Sequence, residues 1–533
     1  MNSLAITIAG FGCFFLGYFF YARFVQKRLD INPEEKTPAF TQYDGVDFIP
    51  AKNWLILFGH HFSSIAGAAP IVGPVIAVSI WGWGPTLLWI ILGSIFLGGL
   101  HDFSSLVISV KNKGRSIAEI AGETISIRAK YIFSVFVFFA LILVVAVFAY
   151  LCAKTLVTDT RVIIPSLGLI PVAMLVGVLI YKLKTNQVVA TITGLTLLVA
   201  LIIAGYLFPL NLEKNSLNFW LIVLLAYAFI ASITPVNILL QPRDYLSAYL
   251  LFFGIAVGFL SIIVSHPRIN APLLHFSRTN PSSLWPMLFV TVACGAISGF
   301  HCLIASGTTS KQLPSQKFAK RIGYGAMILE GILAFLALLC VSAGIESFSA
   351  FKEIMKTSGP IVAFSKGFGE ITKPLLKNLG PITGVIILNA FILTTLDTAT
   401  RITRYIFEEI TKIRNRLIST ACIIILAGYL SWGGKWRTIW PTFGASNQLV
   451  AALALFVITS WLLAKSKPFT LVLLAAIFML TTTVFALYIQ SLKYFRETQY
   501  ILLLISIVLI ILALFIFAEV INILRKKLIK DEK

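Results

Sequence analysis

Charge is what this chain has least of. Only 12% of its 533 residues are Asp, Glu, Lys or Arg, about half the share of a soluble domain, while 58% are hydrophobic. An ordinary soluble fold is thereby excluded. Acidic residues are scarcer than basic ones, 22 against 43. In a soluble chain that balance would point to nucleic acid. Here the basic residues lie scattered between apolar runs, so a membrane surface explains them and nucleic acid is not an expected partner. The six cysteines mostly sit inside apolar runs without metal-type spacing, which speaks for free thiols and against a disulfide framework. No cleavable leader is expected: residues 3–21 are uncharged, and Arg23 follows the apolar run instead of preceding it. Neither a His-Glu-x-x-His motif, nor a P-loop, nor a nucleophile elbow is found, which argues against a membrane enzyme and against ATP-driven pumping.

What the chain does have is apolar runs long enough to cross a bilayer, about fifteen of them. The spacing predicts single spans over 54–80, 218–240, 286–309 and 417–432, among others. The segment 359–372 is the place for a short re-entrant or interfacial helix. Lys and Arg are enriched about two to one in the loops on one side, which predicts the N-terminus outside and the C-terminus inside. The expected fold is thus an all-α polytopic membrane protein. It divides into a first helix and inner-surface linker (1–53), a ten-helix core (54–400) and C-terminal helices (401–533).

Within the second run stands Gly59-His60-His61-Phe62-Ser63-Ser64-Ile65-Ala66-Gly67-Ala68-Ala69-Pro70, continuing to Pro74. Pro70 has no amide hydrogen, so the Ala66 carbonyl loses its helical partner, and Gly67 relaxes the backbone beside it. A carbonyl freed at membrane depth is tolerated only where it faces protein or a water-filled cavity. The stretch therefore reads as a broken helix at a binding site; a kinked structural helix is the competing reading. A second break is expected at 232–237, where Pro235 releases the Ala231 carbonyl and Thr234 and Asn237 add polar groups. It lies five spans later and runs the other way, the mark of a five-plus-five inverted repeat. Substrate contacts are expected from His60, His61, Ser64, Gly67, Ala68, Ala69, Thr234, Asn237 and His301. The amides of residues 67–69, or a histidine, would meet a carboxylate.

On the run 286–309, Ala305, Thr308 and Thr309 fall on adjacent turns, so carbonyl and hydroxyl oxygens converge there, the ligands a hard cation prefers. Hydroxyls that only let helices pack closely are the alternative. Carboxyls at membrane depth are candidates for proton uptake and release. Asp102, with His101 beside it, Glu330 and Asp397 qualify. Cation or proton coupling is thus expected among Ala66, Ala305, Thr308, Thr309, Asp102 and Asp397. His60, His61 and His301 have no cysteine or carboxylate at ligand spacing, so no metal site is expected. No cofactor is implied, and a bound Na⁺ is the one ion the pattern leaves room for.

Five segments carry a family resemblance: GHHFSSIAGAAPIVGP (59–74), LLQPRDYLS (239–247), SGFHCLIASGTTSKQ (298–312), TTLDTATRITRY (394–405) and WPTFGASNQLVAAL (440–453). On these the chain resembles the carbon starvation protein CstA family of bacterial inner-membrane transporters. The resemblance implies secondary transport of peptides, or of pyruvate in close relatives. It also implies a relation to the amino acid–polyamine–organocation superfamily, whose LeuT-like core agrees with the expected repeat. In that architecture a cation is held between the broken first helix and the eighth, which places one between the Ala66 carbonyl, Thr308 and Thr309. The joint expectation is a secondary active transporter that symports a small carboxylate-bearing nutrient with H⁺ or Na⁺. A channel, or a membrane nutrient sensor, is the alternative. Oligomeric state leaves no trace in the pattern.

Overall fold

The computed structural model describes residues 2–29, 31–210, 216–276, 283–432 and 436–531. It is helical throughout, apart from one isolated bridge between Asn2 and Arg268. The chain begins with α1 (Ser3–Gln26), followed after a linker by α2 (Trp54–Ile65), α3 (Ala69–Trp81) and α4 (Trp83–Lys111). Next come α5 (Ile127–Thr158), α6 (Thr160–Lys182), α7 (Gln187–Leu207), α8 (Leu217–Ile233) and α9 (Leu240–Ser265). Two short helices, α10 (Leu284–Thr291) and α11 (Gly299–Gly307), precede α12 (Gln316–Ala343), α13 (Pro360–Leu376) and α14 (Gly380–Thr411). The last four are α15 (Arg416–Ser431), α16 (Trp436–Ala464), α17 (Thr470–Arg496) and α18 (Tyr500–Asp531).

Among the described residues, eleven helices are long and apolar enough to cross a membrane, or up to twelve if the bent pair α2–α3 is one span. That corrects the expectation of about fifteen. Two expected spans, 218–240 and 417–432, are shorter apolar helices of 17 and 16 residues. A third, 286–309, is not one helix: α10 and α11 flank a non-helical stretch at 292–298. The outer faces carry exposed Phe20, Ile192 and Ile425, side chains that a lipid solvent accommodates and water does not. Segment 359–372 lies in α13, a 17-residue helix that folds back along α14, with the Ser365 hydroxyl donating to the Pro381 carbonyl at 2.9 Å.

The break in the first motif has the cause the residues suggest. Asn53 starts α2 by accepting from the amides of Leu55 and Ile56, both at 3.0 Å. The helix ends at Ala66, four residues before the proline that cannot donate back to it. Pro70 then stands in the first turn of α3, where a missing N–H costs nothing. The two halves are bent by 41°.

The first break packs against the non-helical stretch 292–298. A Cβ placed on Gly73 would lie 2.6 Å from the Thr291 carbonyl oxygen, and one on Gly295 would lie 3.9 Å from the Pro70 Cα. Helix α4 reaches the same place through a π-helical turn at Gly93–Gly98, whose Gly93 gives Ala296 room to approach. Because the obstacle at Gly73 is backbone, Gly73→Ala is expected to cost about 1–3 kcal/mol. A thermal-unfolding midpoint equal to that of the unmodified protein would contradict this packing.

Candidate functional site

Beside the break, α2 carries His60 and His61 toward the end of α11. Adjacent positions on a helix point about 100° apart, so the two imidazoles serve different partners. His60 Nδ1 lies 2.6 Å from Asp244 Oδ2 on α9, and its Nε2 lies 3.3 Å from Thr308 Oγ1 and 3.4 Å from Gln312 Nε2. His61 Nδ1 lies 2.8 Å from Thr309 Oγ1. The hydroxyls expected to ligate a cation are therefore engaged by the histidine pair, and Thr308 also donates back to the Ile304 carbonyl at 3.2 Å. Ala305 is buried one turn before them.

From His60 a ladder of buried ions leads to α14. Arg243 donates to Asp244 Oδ1 through Nε at 3.1 Å, and a second nitrogen of the same guanidinium pairs with Asp397. Tyr227 on α8 donates to Asp397 Oδ2 at 2.7 Å. All four ionisable groups, His60, Asp244, Arg243 and Asp397, are fully buried. Ser64 ties the ladder to the break: its hydroxyl lies 3.4 Å from Asp244 Oδ2 and 3.2 Å from Thr398 Oγ1, while its carbonyl accepts from Thr395 at 3.3 Å. Ala66, Gly67, Ala68 and Ala69 are buried around it. A Cβ on Gly67 would fall 2.7 Å from the Phe148 ring, so α5 and α14 close tightly over the gap.

A second cluster lies across α4, α11 and α12. Asp102 receives His101 Nδ1 on one oxygen at 2.7 Å and His301 Nδ1 on the other at 2.8 Å. His301 Nε2 lies 3.1 Å from Glu330 Oε2, within ion-pair reach but without a directed hydrogen bond. The carboxylate of Asp102 thus serves two imidazoles.

Thr234 and Asn237 lie elsewhere. Arg401 on α14 donates to the carbonyls of Thr234 and Ala231, capping the C-terminal end of α8, and Val236 N donates to Val46 in the linker at 3.1 Å. Thr395, against the break, stands six residues from Arg401, roughly 9 Å along the helix. The Asn237 backbone packs against Gly177 on α6, whereas Thr234 belongs to a contact between the linker and the end of the bundle. There Asp47 pairs with Arg401 at 2.7 Å and with Arg404 at 3.3 Å. Burial alone would raise the Asp47 carboxyl, but the charges of Arg401, Arg404 and Lys311 outweigh it and hold it well below its ordinary value of 3.8. A depressed folded value means that the contact's stabilisation is complete above 3.8 and is lost only as pH falls through the folded value. Amide exchange over 44–53, corrected for intrinsic rates, is therefore expected to stay protected from about pH 8 to about pH 5 and to quicken in Asp47→Asn. Protection that fades across that range in the unmodified chain would count against the assignment.

Several participants escaped the reading of the sequence as site residues: Tyr227, Thr398, Gln312, Cys294 and Asn447. Tyr227 and Cys294 are lone polar residues in apolar runs, while Thr398, Gln312 and Asn447 stand among several polar neighbours, from which the sequence does not single them out. Asn447, on α16, caps α11 by accepting from the Phe300 amide at 2.7 Å, so the C-terminal helices help to hold the second break.

Comparison with known proteins shows the family and the fold. The sequence profile described as "Carbon starvation protein CstA" matches residues 2–354 and 345–486. The chain is 32% identical to the peptide transporter CstA of Campylobacter jejuni, over 91% of this chain and 80% of that one. It is 29% identical to the pyruvate/proton symporter BtsT of Escherichia coli, over 91% and 81%. A third relative, the peptide transporter CstA of Bacillus subtilis, is 32% identical over 86% and 85%. Among solved structures, a mutant of the manganese transporter of Eremococcus coleocola superposes with a TM-score of 0.52 at 12% identity, covering 90% of this chain and 99% of the other. That likeness is one of fold. Together with the multi-span helical architecture and the matched length, these relations show that the chain is a membrane transport protein belonging to the carbon starvation protein CstA family.

Proposed function

We propose that this protein is a secondary active transporter that imports small carboxylate-bearing nutrients, peptides or pyruvate, and that protons drive it. The observation that carries the reading is the buried ladder from Asp397 through Arg243 and Asp244 to His60 and Thr308, which runs alongside a helix break. Ionisable groups at membrane depth cost several kcal/mol unless paired, and a pairing that shifts with protonation couples a proton to helix position. The N-terminal end of α3 starts without a side-chain cap and offers partial positive charge to a substrate carboxylate. Residues 66–69 are packed shut in the structure, which suits an occluded state. The Lys/Arg bias supports a bacterial inner-membrane protein with its N-terminus outside. On that orientation, the linker contact at Asp47 closes the cytoplasmic mouth.

The test is uptake of labelled pyruvate and of di- and tripeptides into proteoliposomes under imposed proton or sodium gradients. Accumulation with an inward proton gradient is the expected result. Accumulation driven by sodium alone would move the coupling to Ala66, Thr308 and Thr309. Equilibration without accumulation would mean a channel, and ligand binding without flux a sensor.

A further inference from the structure

We propose that Cys294, His301 and Glu330 form a binding site for a divalent transition-metal ion of the zinc class. The inference stands apart from which solute the protein carries. One ligand atom from each of the three lies within 4.8 Å of the others, and His301 Nε2 to Glu330 Oε2 is already 3.1 Å. Tetrahedral zinc with sulfur and nitrogen bonds of about 2.0–2.3 Å asks for ligand separations of roughly 3.3–3.6 Å, a side-chain adjustment rather than a backbone one.

Three further features mark a built site. The first is the imidazole's orientation: His301 Nδ1 is held by Asp102 Oδ2 at 2.8 Å, which turns Nε2 toward Glu330 and leaves it as the nitrogen a metal would take. This carboxylate–histidine pairing is what orients histidine ligands in metal centres generally. The second is the state of the acid. Glu330 is fully buried, and its one polar neighbour among the described contacts is His301 Nε2 at 3.1 Å, without a well-directed hydrogen bond to either oxygen. A carboxylate left so in an apolar interior is costly, and a bound cation removes the cost. The third is the sulfur. Cys294 sits in the non-helical stretch 292–298, its Sγ 3.4 Å from both Ser298 Oγ and Asn447 Nδ2. Thiolate, imidazole and carboxylate together select zinc-class ions over magnesium or calcium. Linear spacing hides the set, because residues 294, 301 and 330 come from the break, α11 and α12.

The ion would pin the irregular stretch to α11 and α12, elements that a moving transporter must let slide. Binding is read directly. The purified full-length protein, stripped with chelator and reloaded with Co²⁺, is expected to take up one equivalent and to show thiolate-to-cobalt charge-transfer absorption, which Zn²⁺ then displaces. Cys294→Ser should abolish the band, while Cys302→Ser, whose sulfur donates to the Gly299 carbonyl at 3.0 Å, should leave it unchanged. Asp102→Asn should weaken binding about 10–100-fold by freeing the imidazole. No band in the unmodified protein, or an undiminished band in Cys294→Ser, overturns the proposal and leaves a shared proton between His301 and Glu330. Should Cys294→Ser not fold, X-ray absorption of the zinc-loaded unmodified protein decides. One sulfur in the coordination shell supports the site, and a shell of nitrogen and oxygen alone rejects it.

Discussion

Arg243→Ala is expected to be the most damaging single substitution in the bundle: roughly 3–5 kcal/mol of stability lost and uptake abolished. The guanidinium stands between Asp244 and Asp397, all three fully buried. Removing it leaves two carboxylates in a low-dielectric interior with no cation between them, and each must then be protonated or rehydrated. Arg243→Lys keeps the charge but not the planar fork that reaches both acids at once, so an intermediate loss is expected. Adding Asp397→Asn to Arg243→Ala removes one of the stranded charges. The double variant should regain part of the stability and none of the transport. Thermal midpoints in detergent and uptake in proteoliposomes separate the two effects. An Arg243→Ala protein that melts and transports like the unmodified chain would show that the ladder carries neither.

His60→Gln is expected to uncouple the transporter. Glutamine can still donate to Asp244 and meet Thr308, so the packing survives, but it lacks the second ring nitrogen through which the imidazole links the two partners. Exchange of labelled for unlabelled substrate across the membrane should persist, because exchange needs only the alternating movement. Accumulation driven by a pH gradient should disappear. The comparison is internal, since exchange controls for folding and insertion. If His60→Gln accumulates substrate under a pH gradient as well as the unmodified protein does, the proton travels elsewhere, and the Asp102–His301–Glu330 cluster becomes the place to look.

How much of this was readable in advance depended on the range of the interaction. The break after Ala66 was legible because its cause is local: a proline four residues away removes one specific hydrogen bond. Membrane residence was legible from composition, and His60, Thr308, Asp397 and Asp102 stood out as polar groups in apolar runs. The second break was not. Residues 292–298 contain no proline, and their departure from helix rests on contacts with α4, α12 and α16 that no window of neighbouring residues contains. Conversely, Pro235 does end α8 as its local chemistry predicts, but only the folded bundle shows that the Ala231 carbonyl it frees accepts from Arg401 on α14.

From linear pattern alone came the solvent, the first helix break, and a family resemblance that the profile match over residues 2–486 then established. Those are properties of single segments, set by hydrophobic length and by backbone chemistry within four residues. Which polar groups meet was decided only by the folded bundle. Arg243 could have paired only with its neighbour Asp244; tertiary packing gave it Asp397 as well, from 154 positions away. A low-dielectric interior forces each buried charge to find a partner, but many partners satisfy that demand, and helix packing chooses among them.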